Sequence, residues 1–570
     1  MANLIGSWRM NLPSGSSASR HAEVAPAVSP RALVLPLAMA QFLASYDTQA
    51  MSVAISRIVD DLDTTVTGVQ TAMSVFTLTM AALMIPGSKL TDIWGRKRCF
   101  NLGMIVYGCG AAMTAVAPAL GVMIVGYSLL EGIGSALMIP PIYILITVSF
   151  SDPVQRTKGF AIVSAAGGLG AASGPLIGGL ITTAWTWRVS YALEVLVILY
   201  ILYLARAIHD EGVKGDKPAF DLVGAILSAL GLVAIVLGIL QAGTYGWLRC
   251  RQDFSVGDTV LLSQGDISPV VILVGIGFLL LAWFYLHIRR REHTGKDPLL
   301  STRLFRNRTS NLGLVTQNVQ WLTMIGASFV VSVFLQVSRG YNAIETGLVL
   351  TPSTAGILIA AARMGKLSER FSQRAIIRGG FALAFSGIVL LLLLTSATSS
   401  VLLFAPGLFL MGFGAGIMLT ASVTVVQSSF PDKDQGEISG VSRSVSNLGS
   451  SLGTAIAGAV LISALVSGLG SGIEDSTVLN ADQKQQLNAV IQDSVSAVSD
   501  AQVQEALQGQ PQDVVDEVTR INADARDRAL GLALLCVALI SLIGLLAAMR
   551  LPEDAGKKGD EVAENGRPSS

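Results

Sequence analysis

The chain has 570 residues, of which 51% are hydrophobic and only 14% are charged, and its formal net charge is zero. Because soluble proteins carry about 25% charged residues, this balance predicts an integral membrane protein and excludes an ordinary soluble domain. The zero net charge gives no basis for binding nucleic acid. The four cysteines lack metal or redox spacing, so we expect neither a disulfide framework nor a metal site: Cys99, Cys109, Cys250 and Cys536.

Apolar segments long enough to cross a bilayer recur along the chain, and we predict fourteen transmembrane helices. They lie near residues 32–56, 67–86, 99–118, 120–150, 159–183, 189–207, 220–241, 268–287, 310–336, 344–362, 376–396, 400–429, 438–466 and 528–549. Residues 1–30 are rich in Ser, Ala and Pro, which predicts a disordered cytoplasmic tail rather than a signal peptide. Residues 551–570 form a second predicted cytoplasmic tail.

The distribution of Lys and Arg sets the orientation of these helices. With the N-terminus in the cytoplasm, 29 of the 39 Lys and Arg residues lie in inner loops and tails and nine in outer connections. The remaining one, Arg443, falls inside the thirteenth span, where its side chain is expected to reach back to the cytoplasm. Since inner loops of membrane proteins are enriched in cations, we predict that both termini are cytoplasmic.

The longest outer segment, 467–527, joins the last two spans and is acidic. Its pattern predicts an extracellular hairpin of two amphipathic helices, with Asn480 and Asp500 as N-caps and Pro511 as an interruption. The alternative is a poorly ordered hydrophilic loop.

A charged stretch from Gly87 to Arg98 separates the second and third spans. Gly87 and Gly95 are expected to permit a tight reversal there. Asp92 has several cations close enough to pair with. The stretch is therefore expected to stay on the cytoplasmic side.

The sequence contains an internal repeat. Three segments recur in the same order, namely Asp92 with Glu369, 131–134 with 411–414, and 169–174 with 448–453, at offsets of 277, 280 and 279. We therefore predict two related halves, 31–207 and 310–550, with two further spans inserted in residues 208–309. Related six-span halves around a midplane site are an architecture of transporters.

With these features the chain resembles the major facilitator superfamily, in particular its fourteen-span drug:proton antiporter branch. The resemblance implies an all-α fold of two six-helix bundles plus two inserted central transmembrane helices. It further implies a cytoplasmic charge latch that favours the outward-facing state, formed by Asp92, Gly95, Arg96, Glu369 and Arg370. Simple retention of cations on the inner side is the alternative. Two residues depart from the family pattern, which usually has glycine at Ser88 and arginine at Ile93.

A second signature lies in the fifth span, from Gly170 to Gly179. Gly170, Gly174 and Gly178 lie four apart on one helical face, which allows another helix to approach closely. Pro175 removes a backbone donor and favours a kink. In the superfamily this signature is characteristic of antiporters, while ordinary tight packing is the alternative reading.

Three acidic residues lie inside the spans, and ionisable residues in a membrane are functional candidates because they are costly to bury: Asp47, Glu131 and Glu194. At 1.5 Å per residue, Asp47 is about 15 Å and Glu131 about 16 Å from the outer ends of their spans, whereas Glu194 is about 9 Å deep. Asp47 also matches the aspartate of the family's first-span signature. All four histidines fall in tails or loops, so carboxylates must carry any coupled proton.

Our hypothesis is that Asp47 and Glu131 together couple proton entry to export. Burial and a neighbouring acid favour the protonated form, and a cationic substrate would expel the proton. The alternatives are a neutral Glu131 bonded to span 1 and an Asp47 that only positions its helix. Where this chain has Ser128 and Glu131, the family usually has arginine and glutamine, so a relay through that arginine is not expected.

Four residues are candidates for the substrate cavity: Tyr127, Gln317, Asn318 and Trp321. Tyr127 lies one turn before Glu131 and could stack on a cation. The other three form a polar and aromatic cluster in the ninth span, which lines the cavity by resemblance.

We therefore predict a multi-pass plasma-membrane transporter that exports small lipophilic or cationic compounds in exchange for protons by alternating access. A proton-coupled uptake symporter and a non-transporting receptor or scaffold are the alternatives. No P-loop is present, and we expect no enzymatic activity and no cofactor. The expected partners are a small-molecule substrate, protons and the lipid bilayer, with no nucleic acid, and the chain is expected to act as a monomer.

Overall fold

The computed structural model describes residues 30–150, 153–208, 210, 219–256, 259–395, 399–430, 435–481, 483–485, 487 and 511–552. Its helices are α1 Pro30–Val53, α2 Ile55–Asp61, α3 Val66–Trp94, α4 Arg96–Ala115, α5 Leu120–Met123, α6 Gly132–Ser149, α7 Pro153–Ala184, α8 Trp187–Ala205, α9 Leu222–Leu240, α10 Ala242–Tyr245, α11 Pro269–His293, α12 Arg308–Val333, α13 Ala343–Arg370, α14 Gln373–Leu394, α15 Phe404–Gln427, α16 Gln435–Asp475 and α17 Gln512–Met549. Between α10 and α11, strands β1 Phe254–Val256 and β2 Thr259–Leu262 pair antiparallel.

A helix lies at each of the fourteen predicted positions, and the all-α fold is confirmed. Within the described ranges, twelve helices are long and apolar enough to cross a membrane, by length and composition alone. This set includes α9 and α11, which lie between the two halves, but not α1 or α4. The count of fourteen spans, with an inserted pair among them, therefore stays a prediction.

The predicted turn from Gly87 to Arg98 is almost entirely helical. Helix α3 continues to Trp94 and α4 begins at Arg96, so the chain reverses at one residue, Gly95. Its φ of +97° lies in the region that only glycine adopts without strain, which is why a single residue suffices. Gly87 has a different role, because a Cβ there would lie 2.3 Å from the carbonyl oxygen of Ala136.

The internal repeat reappears as matching helix contacts in the two halves. In the first half α7 packs on α1, where a Cβ on Gly170 would lie 2.3 Å from the Phe42 carbonyl oxygen. In the second half α16 packs on α12, where a Cβ on Gly449 would lie 2.3 Å from the Asn318 carbonyl oxygen. The same small-residue contact is thus used at equivalent places, as close helix packing in lipid requires.

One seam between the halves is formed by α3 and α16. Ser451 donates a hydrogen bond to the Ser74 carbonyl oxygen at 2.7 Å, and Ser444 donates to that of Ala81. Farther along, Gln70 donates to the Thr454 carbonyl oxygen at 3.1 Å. The partners advance in opposite directions along the two chains, so α3 and α16 are antiparallel and joined over much of their length.

The second seam is formed by α7 and α13. The backbone N–H of Ile344 donates to Thr183 at 3.0 Å, and Thr354 donates to the Ala172 carbonyl oxygen at 2.9 Å. Between these bonds, Gly347 lies directly against the backbone of Pro175. The two seams place the halves side by side.

Helix α9 covers the α3–α16 seam. Leu78 of α3, Val236 and Leu240 of α9, and Ala455 of α16 form one buried apolar cluster. At the opposite end of α9, the buried Asp221 caps the helix by accepting from the Gly224 N–H at 3.0 Å. Asp221 also contacts His287 of α11, so the two helices are fastened together at that end.

Helices α16 and α17 continue well into the segment predicted as an outer hairpin. Their extensions share an apolar cluster that includes Ile473, Val518 and Ile521. Asn480 accepts from the Gln483 N–H at 2.8 Å, which is the bond of an N-cap. Pro511 directly precedes α17, a position at which proline is well tolerated. Residues 488–510 lie outside the described ranges, so the predicted interruption stays a prediction. Asp500 lies outside the described residues.

We expect this outer extension to loosen in acid. Arg520 and Ser476 donate hydrogen bonds to Glu517, which lies outside the predicted span 528–549, and lower its pKa from 4.5 to about 2. A carboxyl group whose pKa is lower in the folded protein stabilises the fold when the pH is above its pKa in the unfolded chain. This stabilisation is lost as the pH falls through its pKa in the folded protein. Spin labels on Glu474 and Asp516 should therefore report a wider distance distribution near pH 3 than at pH 7. Glu517→Gln should remove that dependence, and an unchanged profile in this variant would contradict the assignment.

Candidate functional site

The three predicted membrane acids come together inside the first half. Asp47 is on α1, Glu131 ends the π-helical segment Ile124–Glu131 between α5 and α6, and Glu194 is on α8. One carboxylate oxygen of each lies within 4.8 Å of those of the other two, and all three residues are buried. The sequence placed Glu194 nearer the outer rim, but that depth was measured along the helix axis and omitted the reach of the side chain.

Only part of the hydrogen-bonding capacity of this acid cluster (Asp47, Glu131 and Glu194) is used. Tyr107 donates to Asp47 at 3.1 Å, and Thr114 donates to Glu131 at 3.2 Å. Among the described residues, Oε2 of Glu131 and Oε2 of Glu194 have no hydrogen-bond partner. Leaving a buried carboxylate oxygen without a partner costs free energy. A bound proton or another cation would supply the missing partner.

The backbone around Glu131 is adapted to bring its side chain inward. The π-helical segment widens the helix just before Glu131, and such segments are frequent at functional sites. On α4, Gly110 faces this residue, where a Cβ would lie 2.7 Å from Glu131 Cγ and 2.6 Å from the Gly126 carbonyl oxygen. A larger residue at position 110 would therefore displace the acid.

Aromatic rings lie beside the acid cluster. Tyr127 stacks on Phe76 with ring centroids 4.6 Å apart, and its edge meets Tyr191 at 6.0 Å. Tyr191 in turn meets Trp187 at 6.0 Å. The faces of aromatic rings attract organic cations, and the hydroxyl groups of the tyrosines can relay protons.

The charges in the cluster are not balanced by protein cations. Within the described ranges, the ion pairs of the structure involve none of the three acids. Like charges at this separation in a buried site cannot all be ionised. At least one of the three acids is therefore protonated, unless a cation is bound among them.

The antiporter signature on α7 lies directly behind Asp47. A Cβ on Gly174 would lie 2.7 Å from Gln49 Cβ, and one on Gly178 would lie 2.7 Å from Ala50 Cβ, both on α1. Gly179 faces the second half, where a Cβ on Gly179 would lie 2.5 Å from the Ala343 carbonyl oxygen. Helix α7 is thus held between α1 and α13 and connects the helix of Asp47 to the opposite half.

The predicted latch residues lie at the ends of α3, α4 and α13. Arg96 lies 3.9 Å from Asp210, whose other oxygen accepts from the Lys97 N–H at 3.0 Å. This partner follows α8 in the same half and was not anticipated. Glu369 and Arg370 are exposed at the end of α13. The latch between the halves stays a prediction.

The predicted cavity residues of α12 are largely engaged in packing. Gln317 accepts from Ser442 at 2.9 Å and donates to Ser446 at 2.8 Å, both on α16. Asn318 donates to the Val445 carbonyl oxygen at 2.9 Å. These amides join α12 to α16, whereas Trp321 remains half-buried beside α15.

Arg443 makes a contact that the sequence did not predict. Its guanidinium lies over the ring of Tyr143 on α6, with Cζ 4.8 Å from the centroid, and hydrogen bonds to the Tyr143 hydroxyl. Tyr143 donates to Gln41 of α1 at 3.2 Å. A cation–π contact and a charge-assisted hydrogen bond both stabilise this position of the guanidinium. The contact joins the two halves.

Sequence reasoning missed Tyr107, Thr114 and Tyr191 as neighbours of the acids. Aromatic and hydroxyl residues are common in membrane helices, so no local signal distinguishes these three. Only the packing of α4 against α8 and the π-helical segment, and of α8 against α1, brings them to the carboxylates.

Comparison with known proteins gives consistent results. The profile described as "Major Facilitator Superfamily" matches residues 37–454. "Multidrug resistance protein Stp" of Mycobacterium tuberculosis is 24% identical over 70% of this chain and 70% of its own. "Puromycin resistance protein pur8" of Streptomyces alboniger is 28% identical over 73% of this chain and 78% of its own.

Solved structures show the same fold. An "auto inhibited POT family peptide transporter" superposes with a TM-score of 0.56 and 12% identity, covering 94% of this chain and 99% of its own. At this identity the likeness concerns the fold alone.

Proposed function

The chain belongs to the Major Facilitator Superfamily and is a multi-pass membrane transporter of small molecules, and on this premise we propose that it exports lipophilic or cationic compounds from the cell in exchange for protons. In this proposal it spans the plasma membrane fourteen times, with both termini in the cytoplasm. The observation that carries it is the buried cluster of three acids without a protein cation.

The acid cluster supports a competition between protons and substrate. A cluster that cannot be fully ionised holds protons while empty and releases them when a cation approaches. The aromatic rings of Tyr127 and Tyr191 beside it suit an amphipathic cation. Relatives named for multidrug and puromycin resistance are consistent with such substrates.

Alternating access is supported by contacts between the halves at both ends of their interface, because each set of contacts holds one end closed. At the predicted outer end, Gln336 donates to the Ser52 carbonyl oxygen at 2.9 Å and accepts from the Ser56 N–H at 3.0 Å. At the predicted inner end, Arg443 contacts Tyr143. Opening towards one side requires one set to break while the other is kept.

Tyr143→Phe and Gln336→Leu are expected to shift this equilibrium in opposite directions. Each change removes hydrogen bonds that are together worth about 1 kcal/mol, or roughly fivefold in population. Tyr143→Phe should favour opening at the inner end and Gln336→Leu at the outer end. Spin labels placed across each end measure both distances. Shifts in the same direction would contradict the assignment of the two contacts.

Flux measurements in proteoliposomes test the proposal, with puromycin as the probe. A puromycin gradient should drive protons in the opposite direction, and a pH gradient should drive puromycin uphill. Movement of both in the same direction would indicate a symporter, and no flux with any lipophilic cation of a panel would indicate a receptor or scaffold. A requirement for Na⁺ would mean that the carboxylates bind a metal cation instead, since oxygen ligands suit hard cations.

A further inference from the structure

A narrow crevice runs from the acid cluster along α1 towards the outer ends of α7 and α8. It has space for about one water molecule. Asp47 and Glu194 form one end, and Ile58 and Trp187 lie at the other. From Asp47 to Ile58 the chain advances eleven residues, which is about 16 Å of helix. The crevice therefore extends from the acids towards the outer ends of the helices, and Ile58 and Trp187 at its far end are buried.

The walls of the crevice carry hydroxyl groups along one side. Thr182 and Ser190 both line it, and Ser190 shares a 2.9 Å hydrogen bond with the hydroxyl of Tyr46. Glu194 is 3% exposed and lines the crevice, and within the described ranges its Oε2 has no hydrogen-bond partner. A buried carboxylate with a free oxygen at the end of a crevice that carries two hydroxyl groups in a largely apolar lining is placed to receive a proton from water.

The outer end of the crevice is fastened by polar contacts. Trp187 donates from Nε1 to Asp61 at 2.9 Å, and Arg188 pairs with the same carboxylate. The side chain of Asp61 is 46% exposed, so this rim is in contact with water. Movement of one indole ring would connect the crevice to the outside.

We propose that this crevice, and not the interface between the halves, is the route by which protons travel between the outer water and the acid cluster. This rests on the proposed proton exchange. A proton bound from water at the rim moves along the hydroxyl side of the crevice to Glu194, and from there to Asp47 or Glu131. The substrate uses the interface between the halves. Proton and substrate thus reach the acid cluster from different directions.

The titratable groups that interact with Glu194 are all uncharged tyrosines or the other two acids: Tyr46, Tyr107, Tyr127, Tyr191, Asp47 and Glu131. Among the described residues, a proton that arrives at Glu194 therefore meets no fixed cation that would repel it.

The test introduces Ala54→Cys, in the wall of the crevice, into protein whose native cysteines are replaced. A small water-soluble methanethiosulfonate reagent is applied to proteoliposomes whose outer helix ends face the bath. Infrared carboxyl bands then follow protonation of the acid cluster after a step in bath pH. This readout requires no substrate, so it remains informative even if export fails.

Modification of Ala54→Cys should slow protonation by about tenfold or more, while the Kd for puromycin changes by less than about twofold. The matched control is Arg57→Cys, at an exposed position one turn away. Its modification should leave the rate of protonation unchanged. Ala54→Phe, which fills the crevice without chemistry, should reproduce the slowing. An unreactive Ala54→Cys, or modification that leaves the rate unchanged, would overturn the proposal. Equal loss of puromycin binding would make the crevice a substrate path and would also overturn it.

Discussion

Asp47→Asn and Glu131→Gln are each expected to reduce puromycin-driven proton movement in proteoliposomes to the level of protein-free liposomes. Each amide keeps the size of the acid and can still accept the hydrogen bond from Tyr107 or Thr114. The amide cannot bind or release a proton near neutral pH, so no proton can be exchanged for puromycin. The readout is the change in internal pH on addition of puromycin.

Two controls separate this loss from misfolding. Asp60→Asn makes the same change at an exposed position on α2 and should leave proton movement intact. Exchange of labelled for unlabelled puromycin needs no net proton movement and should persist in Asp47→Asn and Glu131→Gln. Normal proton release in both amide variants would show that the acid cluster is not the coupling site.

Gly347→Ala is expected to abolish transport and to lower the free energy of unfolding by about 1–3 kcal/mol, the usual cost of overpacking. The added Cβ would lie 2.3 Å from the Pro175 carbonyl oxygen and 3.0 Å from its carbonyl carbon. Both contacts are to backbone, so no side chain can rotate away. The α7–α13 seam must widen, and α7 also supports the helix that carries Asp47.

Gly365→Ala is the matched control on the same helix, since nothing lies within 4 Å of a Cβ at that position. It should unfold at or slightly above the temperature of the parent, because alanine favours helix over glycine. Thermal unfolding in detergent and puromycin flux measure both effects. Equal behaviour of the two variants would show that the seam does not depend on close contact at Gly347.

Much of the fold could be predicted from the sequence because the bilayer acts on local composition. A segment such as Leu222–Leu240 must be apolar along its whole length to stay in lipid, and this is visible residue by residue. The repeat predicted two related halves, and Gly170 and Gly449 make equivalent contacts in them. The turn after α3 was predicted at the correct place but over too many residues. Hydropathy does not show that the helix continues to Trp94 through its charged end.

By itself the sequence determined the membrane class, the helix positions, the family resemblance and the three candidate acids, because each follows from composition, spacing or a short motif. Only the tertiary structure decided that Glu194 joins Asp47 and Glu131, that Arg443 binds Tyr143, and that Gln317 is used in packing. Those outcomes depend on how far side chains reach and which helix faces meet. Such contacts join residues far apart in the chain, and no local pattern encodes them.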